Sequence, residues 1–259
     1  MPRKIVITGG SGGIGSAICR RFLASGDYVV NLDREPFSTA DPEHLVTVAC
    51  NLADAASIGA AFRQADTHFD KVPVDVLVCC AAVSRAAHFL DVPMADLETM
   101  LDVNVRGTFL CGQEAGRRMR ARGQGHIVVV TSIAGQQAWA RESVYCLTKA
   151  AQSSLVQGMA IELAPFGIMV NAVAPGIIDV ESKGMAGTRD GEVYRHEMER
   201  FPLGRFGRPE EIAEAVHHLS GVTWMAGQTI YADGGFLATG LAYFGEAKDR
   251  LLKSYSPGS

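Results

Sequence analysis

"ITGGSGGIG" runs from Ile7 to Gly15, between the apolar stretch "KIVIT" (4–8) and a helical pattern over 13–25. A glycine-rich turn joining a first strand to a first helix presents backbone N–H groups at a helix N-terminus, where phosphate binds well. Glycine permits both the tight turn and the close approach of a ligand to the backbone. Two patterns overlap here. Gly10, Gly12 and Gly15 satisfy G-x-G-x-x-G, while Gly9, Gly13 and Gly15 after Thr8 satisfy T-G-x-x-x-G-x-G. Either pattern alone is weak, but its place between strand and helix favours a dinucleotide site over a plain turn.

Working outward, apolar runs recur at 4–8, 28–32, 45–49, 75–79, 126–131, 168–174 and 228–232. Most are continuously apolar, the pattern of strands buried on both faces. Helical periodicity falls between them at 13–25, 54–68, 95–121, 145–164 and 209–219. The last of these opens with Pro209, Glu210 and Glu211, a helix-start signal. This alternation implies βαβ units and a parallel sheet covered by helices on both faces. The expectation is an α/β fold: a single doubly wound domain over 1–259 with a seven-stranded parallel sheet. The stretch 177–208 is long, charged and interrupted by glycine, so it reads as a lid, with room for a helix near 190–200.

Bulk properties exclude some functions. The net charge is −4, with 47% hydrophobic and 20% charged residues. A nucleic-acid partner would need a clustered basic surface. The densest basic stretch, Gly116 to Gly123, reads instead as the solvated end of a helix. No apolar run is long enough to span a bilayer, and no secretory leader is visible. The six cysteines, at 19, 50, 79, 80, 111 and 146, form no C-x-x-C pair and no metal-ligand spacing. They read as reduced thiols of a cytoplasmic protein, with no metal site expected.

Three further groups suggest chemistry. Asp33 ends the second strand about 20 residues past the glycine loop, where a carboxylate accepts hydrogen bonds from an adenosine ribose. It would repel a 2′-phosphate and so favours NAD over NADP, although the guanidinium of Arg34 stands beside it. Tyr145 and Lys149 are spaced i, i+4 on one helix face. An ammonium near a phenol lowers its pKa and makes it able to exchange protons with an alcohol or ketone. Ser132 ends the fifth strand, on the side where ligands bind parallel sheets.

In this order and spacing the chain resembles the short-chain dehydrogenase/reductase family: TGGSGGIG, Asp33, Asn104 in "LDVNVRG", Ser132 in "TSIAG", Tyr145-x-x-x-Lys149, "APG" at 174–176 and "GQTIYADGG" at 227–235. The resemblance implies a Rossmann-type domain. It makes Tyr145 the general acid/base, with Lys149 lowering its pKa and holding the nicotinamide ribose. Ser132 would polarise the substrate oxygen, and Asn104 would help hold a water connecting Lys149 to solvent. Cofactor contacts would come from Gly9, Ser11, Gly13, Ile14, Gly15, Asp33, Asn51, Leu52 and Ala81. Tyr145 and Lys149 would add to them on the nicotinamide side, with Pro175, Gly176 and Ile178. Family members commonly pair into homotetramers through the helices matching 95–121 and 145–164.

Three positions depart from the family pattern: Asn51, Val180 (in place of a hydroxyl residue facing the carboxamide) and "CCAA" at 79–82 (in place of "NNAG"). Cys79 and Cys80 read as small, weakly polar substitutes for two asparagines. Substrate contacts are expected from Ser84, His88 and Phe89, from Gln136, Gln137, Trp139 and Glu142, and from Met185, Tyr194 and Phe201 in the lid. The leading expectation is hydride transfer between NAD(H) and a secondary alcohol or ketone. "RFPLGRFGRPEEIA" also resembles β-ketoacyl carrier-protein reductases, which makes an NADP(H)-dependent 3-oxoacyl reductase the alternative. A non-catalytic dinucleotide-binding regulator is the third.

Overall fold

Residues Ile5 to Ile7, Val76 to Val78 and Ile127 to Val129 are fully or almost fully buried, as strands covered on both faces must be. The computed structural model describes residues 2–37, 41–180 and 198–239. Its first half runs β1 (Lys4–Thr8), α1 (Gly13–Leu23), β2 (Tyr28–Asp33), β3 (Leu45–Ala49), α2 (Ala55–His68), β4 (Val76–Cys79) and α3 (Met94–Met100). It continues through α4 (Gly107–Arg122), β5 (Gly125–Val130), α5 (Ser143–Leu163), β6 (Ile168–Pro175), α6 (Pro209–Leu219) and β7 (Thr229–Ala232). The strands form one seven-stranded sheet in the order β3-β2-β1-β4-β5-β6-β7. Every pairing is parallel. This is the expected doubly wound α/β fold.

Alternation along each strand sorts side chains to two faces. Val6, Leu77, Ile127 and Val170 pack with Phe62 of α2, Met119 of α4 and Val156 of α5. Ile5, Ile7, Val76 and Val78 pack instead with Ile18 and Phe22 of α1 and Ile212 and Val216 of α6. Phe22 and Phe62 are fully buried, and truncating such a ring typically costs about 3–5 kcal/mol. A third cluster of Ile133, Phe201, Phe206 and Phe236 lies apart from these two.

The expected helix 95–121 is not continuous. Leu101–Arg106 winds as a π-helix between α3 and α4. Gly107 follows it, and a Cβ there would lie 2.9 Å from the Leu52 carbonyl oxygen. The widened turn buries Asn104 completely. Of the expected lid, 181–197 lies outside the described residues, which takes with it Met185, Tyr194 and most of the helix placed near 190–200. At its flanks, Ile178 bridges Gly207. Among the described residues no helix is long and apolar enough to cross a membrane.

Candidate active site

In this strand order the chain reverses direction between β1 and β4, and ligands bind at the carboxyl ends of strands beside such a reversal. A cavity of about 770 Å³ opens there. Its floor is the glycine loop. Gly9 has φ of +74°, and a Cβ on it would lie 2.7 Å from the Ala81 Cα. The loop and the turn after β4 are therefore pressed together, and this turn needs small residues. The Thr8 hydroxyl accepts hydrogen bonds from the Cys80 and Ala81 backbone at 3.1 and 3.3 Å. That oxygen ties the turn down without an asparagine amide. Cys79 is buried, and burial pushes its thiol up to about 12, which keeps it protonated and inert. Cys80 is only partly buried and lines the cavity.

Asn31, a polar residue buried in β2, accepts the Gly10 N–H at 2.8 Å and donates to the Ser11 hydroxyl at 3.0 Å. The sequence reading passed over it, although a lone amide in an apolar strand was the available signal. Asp33 accepts the Ser11 N–H at 3.0 Å and the Arg34 N–H at 2.7 Å. Its carboxylate is thereby fixed at the cavity wall, with Arg34 also lining the cavity. Gly12 precedes α1 with no side-chain cap, and no acidic residue occupies the first turn. The N–H groups of that turn belong to Gly13, Ile14 and Gly15, all of which line the cavity. An uncapped helix start with tight glycine packing fits a pyrophosphate. Val180 packs on this loop, since a Cβ on Gly13 would lie 2.5 Å from its Cγ1. Asn51, Leu52, Pro175, Gly176 and Ile178 line the same cavity. The residues present therefore fit an adenine dinucleotide.

The other half of the cavity holds Ser132, Tyr145 and Lys149. Ser132 follows β5 in extended backbone and opens a short 3-10 turn, Ile133–Gly135. Gly135 lets that turn lie against α5, because a Cβ there would come 2.9 Å from the Lys149 carbonyl carbon. Ser132 and Tyr145 consequently share a side-chain hydrogen bond. Lys149 is 2% exposed and donates to the Val130 carbonyl at 3.0 Å and to Gln152 Oε1 at 2.9 Å. Its Nζ lies 5.6 Å from the Tyr145 ring centroid. Contrary to the expected lowering, burial pushes the Tyr145 phenol up to about 12, with the Ser132 hydrogen bond opposing it. Removing a phenolate from water outweighs the favourable contacts.

Asn104 is not a cavity residue. Its side chain accepts the Val83 N–H at 2.8 Å and donates to the Val83 carbonyl at 2.9 Å and the Thr148 hydroxyl at 3.0 Å. It pins the segment after β4 to α5. Among the expected substrate residues, Ser84, Trp139 and Glu142 line the cavity. Ser84 donates to Glu142 at 2.7 Å, and the Trp139 indole nitrogen is buried with no hydrogen-bond partner. Of the other described ones, His88, Phe89, Gln136, Gln137 and Phe201, none lines the cavity. Phe89 is 73% exposed in a short turn that His88 caps, Gln136 meets Tyr231, and Phe201 is buried in the aromatic cluster. Gln137 lies exposed just past the turn. Among the described residues no group of three or more His, Cys, Asp or Glu is arranged to hold a metal ion.

A phenol, a hydroxyl and a buried ammonium at one end of a dinucleotide-shaped cleft suit proton exchange coupled to hydride transfer. Comparison with known proteins agrees. A family model described as enoyl-(acyl carrier protein) reductase matches residues 9–237. L-xylulose reductase of Mesocricetus auratus is 36% identical over 249 residues, 92% of this chain and 97% of that protein. The 3-oxoacyl-(acyl-carrier-protein) reductase FabG of Aquifex aeolicus is 33% identical over 241 residues, 89% of this chain and 95% of that protein. The solved structure of ElxO with NADP bound superposes with a TM-score of 0.83 at 26% identity, over 92% of this chain and 100% of that one.

Proposed function

The chain belongs to the short-chain dehydrogenase/reductase family and is an NAD(P)-dependent oxidoreductase acting at a secondary alcohol or ketone; on that premise we propose that Tyr145 is its general acid/base and NAD(H) its cofactor. The observation carrying the proposal is the convergence of Ser132, Tyr145 and Lys149 in the cleft that the glycine loop floors. When bound, the nicotinamide supplies the hydride donor or acceptor. In the oxidation direction the Ser132 and Tyr145 oxygens receive the alcohol hydroxyl, and Tyr145 removes its proton as the hydride leaves the carbinol carbon. In reduction Tyr145 returns the proton to the forming alkoxide. Lys149 supplies positive charge near the phenolate, and Gly9, Ser11, Gly13, Ile14 and Gly15 seat the pyrophosphate.

NAD is proposed because Asp33 holds a carboxylate where a 2′-phosphate would need room and positive charge. The alternative, an NADP(H)-dependent 3-oxoacyl-type reductase, is supported by Arg34 beside that carboxylate and by relatives of that activity. A non-catalytic regulator would have little use for the assembled Ser132, Tyr145 and Lys149. We further read the chain as one catalytic domain over 1–259 with a lid at 177–208. We read it as a cytoplasmic homotetramer whose six cysteines stay reduced. The test is a panel of secondary alcohols with NAD and of ketones with NADH. Specific turnover is expected for at least one pair, with a loss of about 10²–10⁴-fold in Tyr145→Phe. Equal turnover by Tyr145→Phe would overturn the mechanism.

A further inference from the structure

A buried polar side chain, Gln152, touches Lys149 without lining the cavity. Gln152 is 1% exposed and lies on α5 three residues beyond Lys149, on the same helix face. Its amide oxygen accepts Lys149 Nζ at 2.9 Å. Its amide nitrogen donates to the Asn104 carbonyl at 2.7 Å and to the Thr108 hydroxyl oxygen at 2.8 Å. That hydroxyl in turn donates to the same carbonyl at 2.7 Å. The orientation of the amide is chemically forced. Swapping its ends would put an NH₂ against an ammonium and an oxygen against a carbonyl oxygen.

We propose that Gln152 is a positioning residue for the Tyr145–Lys149 pair: its carboxamide ties the Lys149 ammonium to the backbone oxygen of Asn104 and fixes where that ammonium points. The inference rests on the reading of Tyr145 as general acid/base. An ammonium has three N–H bonds. Val130 and Gln152 take two of them, so the direction of the third is set by the geometry of the first two. The anchor carbonyl belongs to the π turn, whose widened winding buries Asn104 within reach of Gln152. A direct amide bridge here also gives Lys149 a fixed protein partner along the path where the family resemblance places a water. The titratable groups facing the pair are Cys79 and Cys80 from β4 and its turn, and Glu142 and Cys146 at the start of α5. The hydrogen bonds of the Gln152 side chain go to Lys149, the Asn104 carbonyl and Thr108, and of these Lys149 is the titratable group.

The test uses the full chain as wild type, Gln152→Leu and Thr108→Val. Leucine keeps the volume and removes both polar ends. Valine leaves Gln152 in place and removes one of its two anchors. In alcohol oxidation with NAD, loss of the acceptor weakens the support that the ammonium gives the phenolate. The rising limb of kcat against pH should then move up by about one unit in Gln152→Leu, about tenfold in kcat at a fixed pH on the slope. KM for NAD should stay within about twofold, and Thr108→Val should shift the limb in the same direction by less. A turnover-free readout accompanies this. The buried side-chain amide resonance of Gln152, identified by its loss in Gln152→Leu, should titrate with Lys149 in the unliganded protein and lose that titration in Lys149→Met. A Gln152→Leu limb superimposable on wild type, whatever its height, would overturn the proposal, as would an amide resonance indifferent to Lys149→Met. If Gln152→Leu does not fold, the Thr108→Val limb and the resonance decide. If wild type turns over nothing in the panel, the reading of the reaction fails while the resonance still decides the tie.

Discussion

Tyr145 is pulled two ways, by burial toward the neutral phenol and by Ser132 toward the phenolate, and burial wins. That has a consequence for stability. A group whose pKa is higher folded than unfolded stabilises the fold fully below its unfolded value, near ~10 for tyrosine, and loses that contribution as pH rises through about 12. Tyr145→Phe cannot lose a proton, so its urea midpoint should fall less than that of wild type between those limits. The buried thiols Cys19, Cys50, Cys79 and Cys111, also raised by burial, are present in both proteins and cancel from the comparison. Asp33 supports a second prediction. Asp33→Asn keeps an acceptor for the Ser11 N–H but removes the charge. NADPH should bind at least about tenfold tighter relative to NADH than it does to wild type, read by cofactor fluorescence titration. Tighter NADPH than NADH binding by wild type would reverse the cofactor assignment. The places of Asp33, Tyr145 and Lys149 in the cavity were legible in the sequence because they rest on local spacing. Asn31 and Gln152 were not: the partners of Asn31 lie 16 or more residues away, and Gln152, although three residues from Lys149, meets Asn104 and Thr108 only in the fold.

At the scale of elements, α6 is the segment whose ends sequence reading located best. Pro209 starts the helix, and Glu211 in its first turn accepts the Arg208 backbone N–H at 2.8 Å. Arg205 grips the same carboxylate through two nitrogens at 2.7 and 2.9 Å. The Arg205 guanidinium and the Arg208 N–H hold the Glu211 carboxyl down to about 2. Its stabilisation is present above the unfolded carboxylate range and lost as pH falls through about 2. Glu211→Gln keeps an acceptor for the Arg208 N–H but removes the charge facing Arg205, and should cost up to about 1 kcal/mol at neutral pH. The gap in thermal midpoint from wild type should close as pH drops through that window. A gap independent of pH would show that the charge is irrelevant. The α3–α4 stretch was the least legible element. Its apolar spacing reads as one helix over 95–121, because a π turn inserts its extra residue without any composition of its own. The event that buries Asn104 is therefore set by packing around Gly107 and Leu52.

For the whole molecule, continuous apolar runs gave the sheet, and helix periodicity gave the layers, because both are statements about burial. Which outer faces remain for other copies came only from the family resemblance, through the helices matching 95–121 and 145–164, since exposure depends on where each helix lands. The structure leaves Phe109 on α4 44% exposed, and Leu147 and Ile161 on α5 52% and 78% exposed. Beside Phe109 runs a groove lined by Leu101, Val105 and Leu155. An apolar helix pair facing water is unfavourable by about 25 cal/mol per Å² relative to the same surface buried. Large exposed apolar patches usually mark an interface. The same two helices carry Tyr145, Lys149 and the Asn104 carbonyl's partner Thr108, so covering their outer face would brace the site from behind. Phe109→Glu, which places a charge on that face, should convert the proposed tetramer to a smaller species in light scattering. The far-UV spectrum should be unchanged. Turnover should fall while NADH affinity holds, because the cofactor floor is built on β1, β2 and β4, away from this face. A wild type that scatters as a monomer would instead leave this face to a different partner and remove the proposed tetramer.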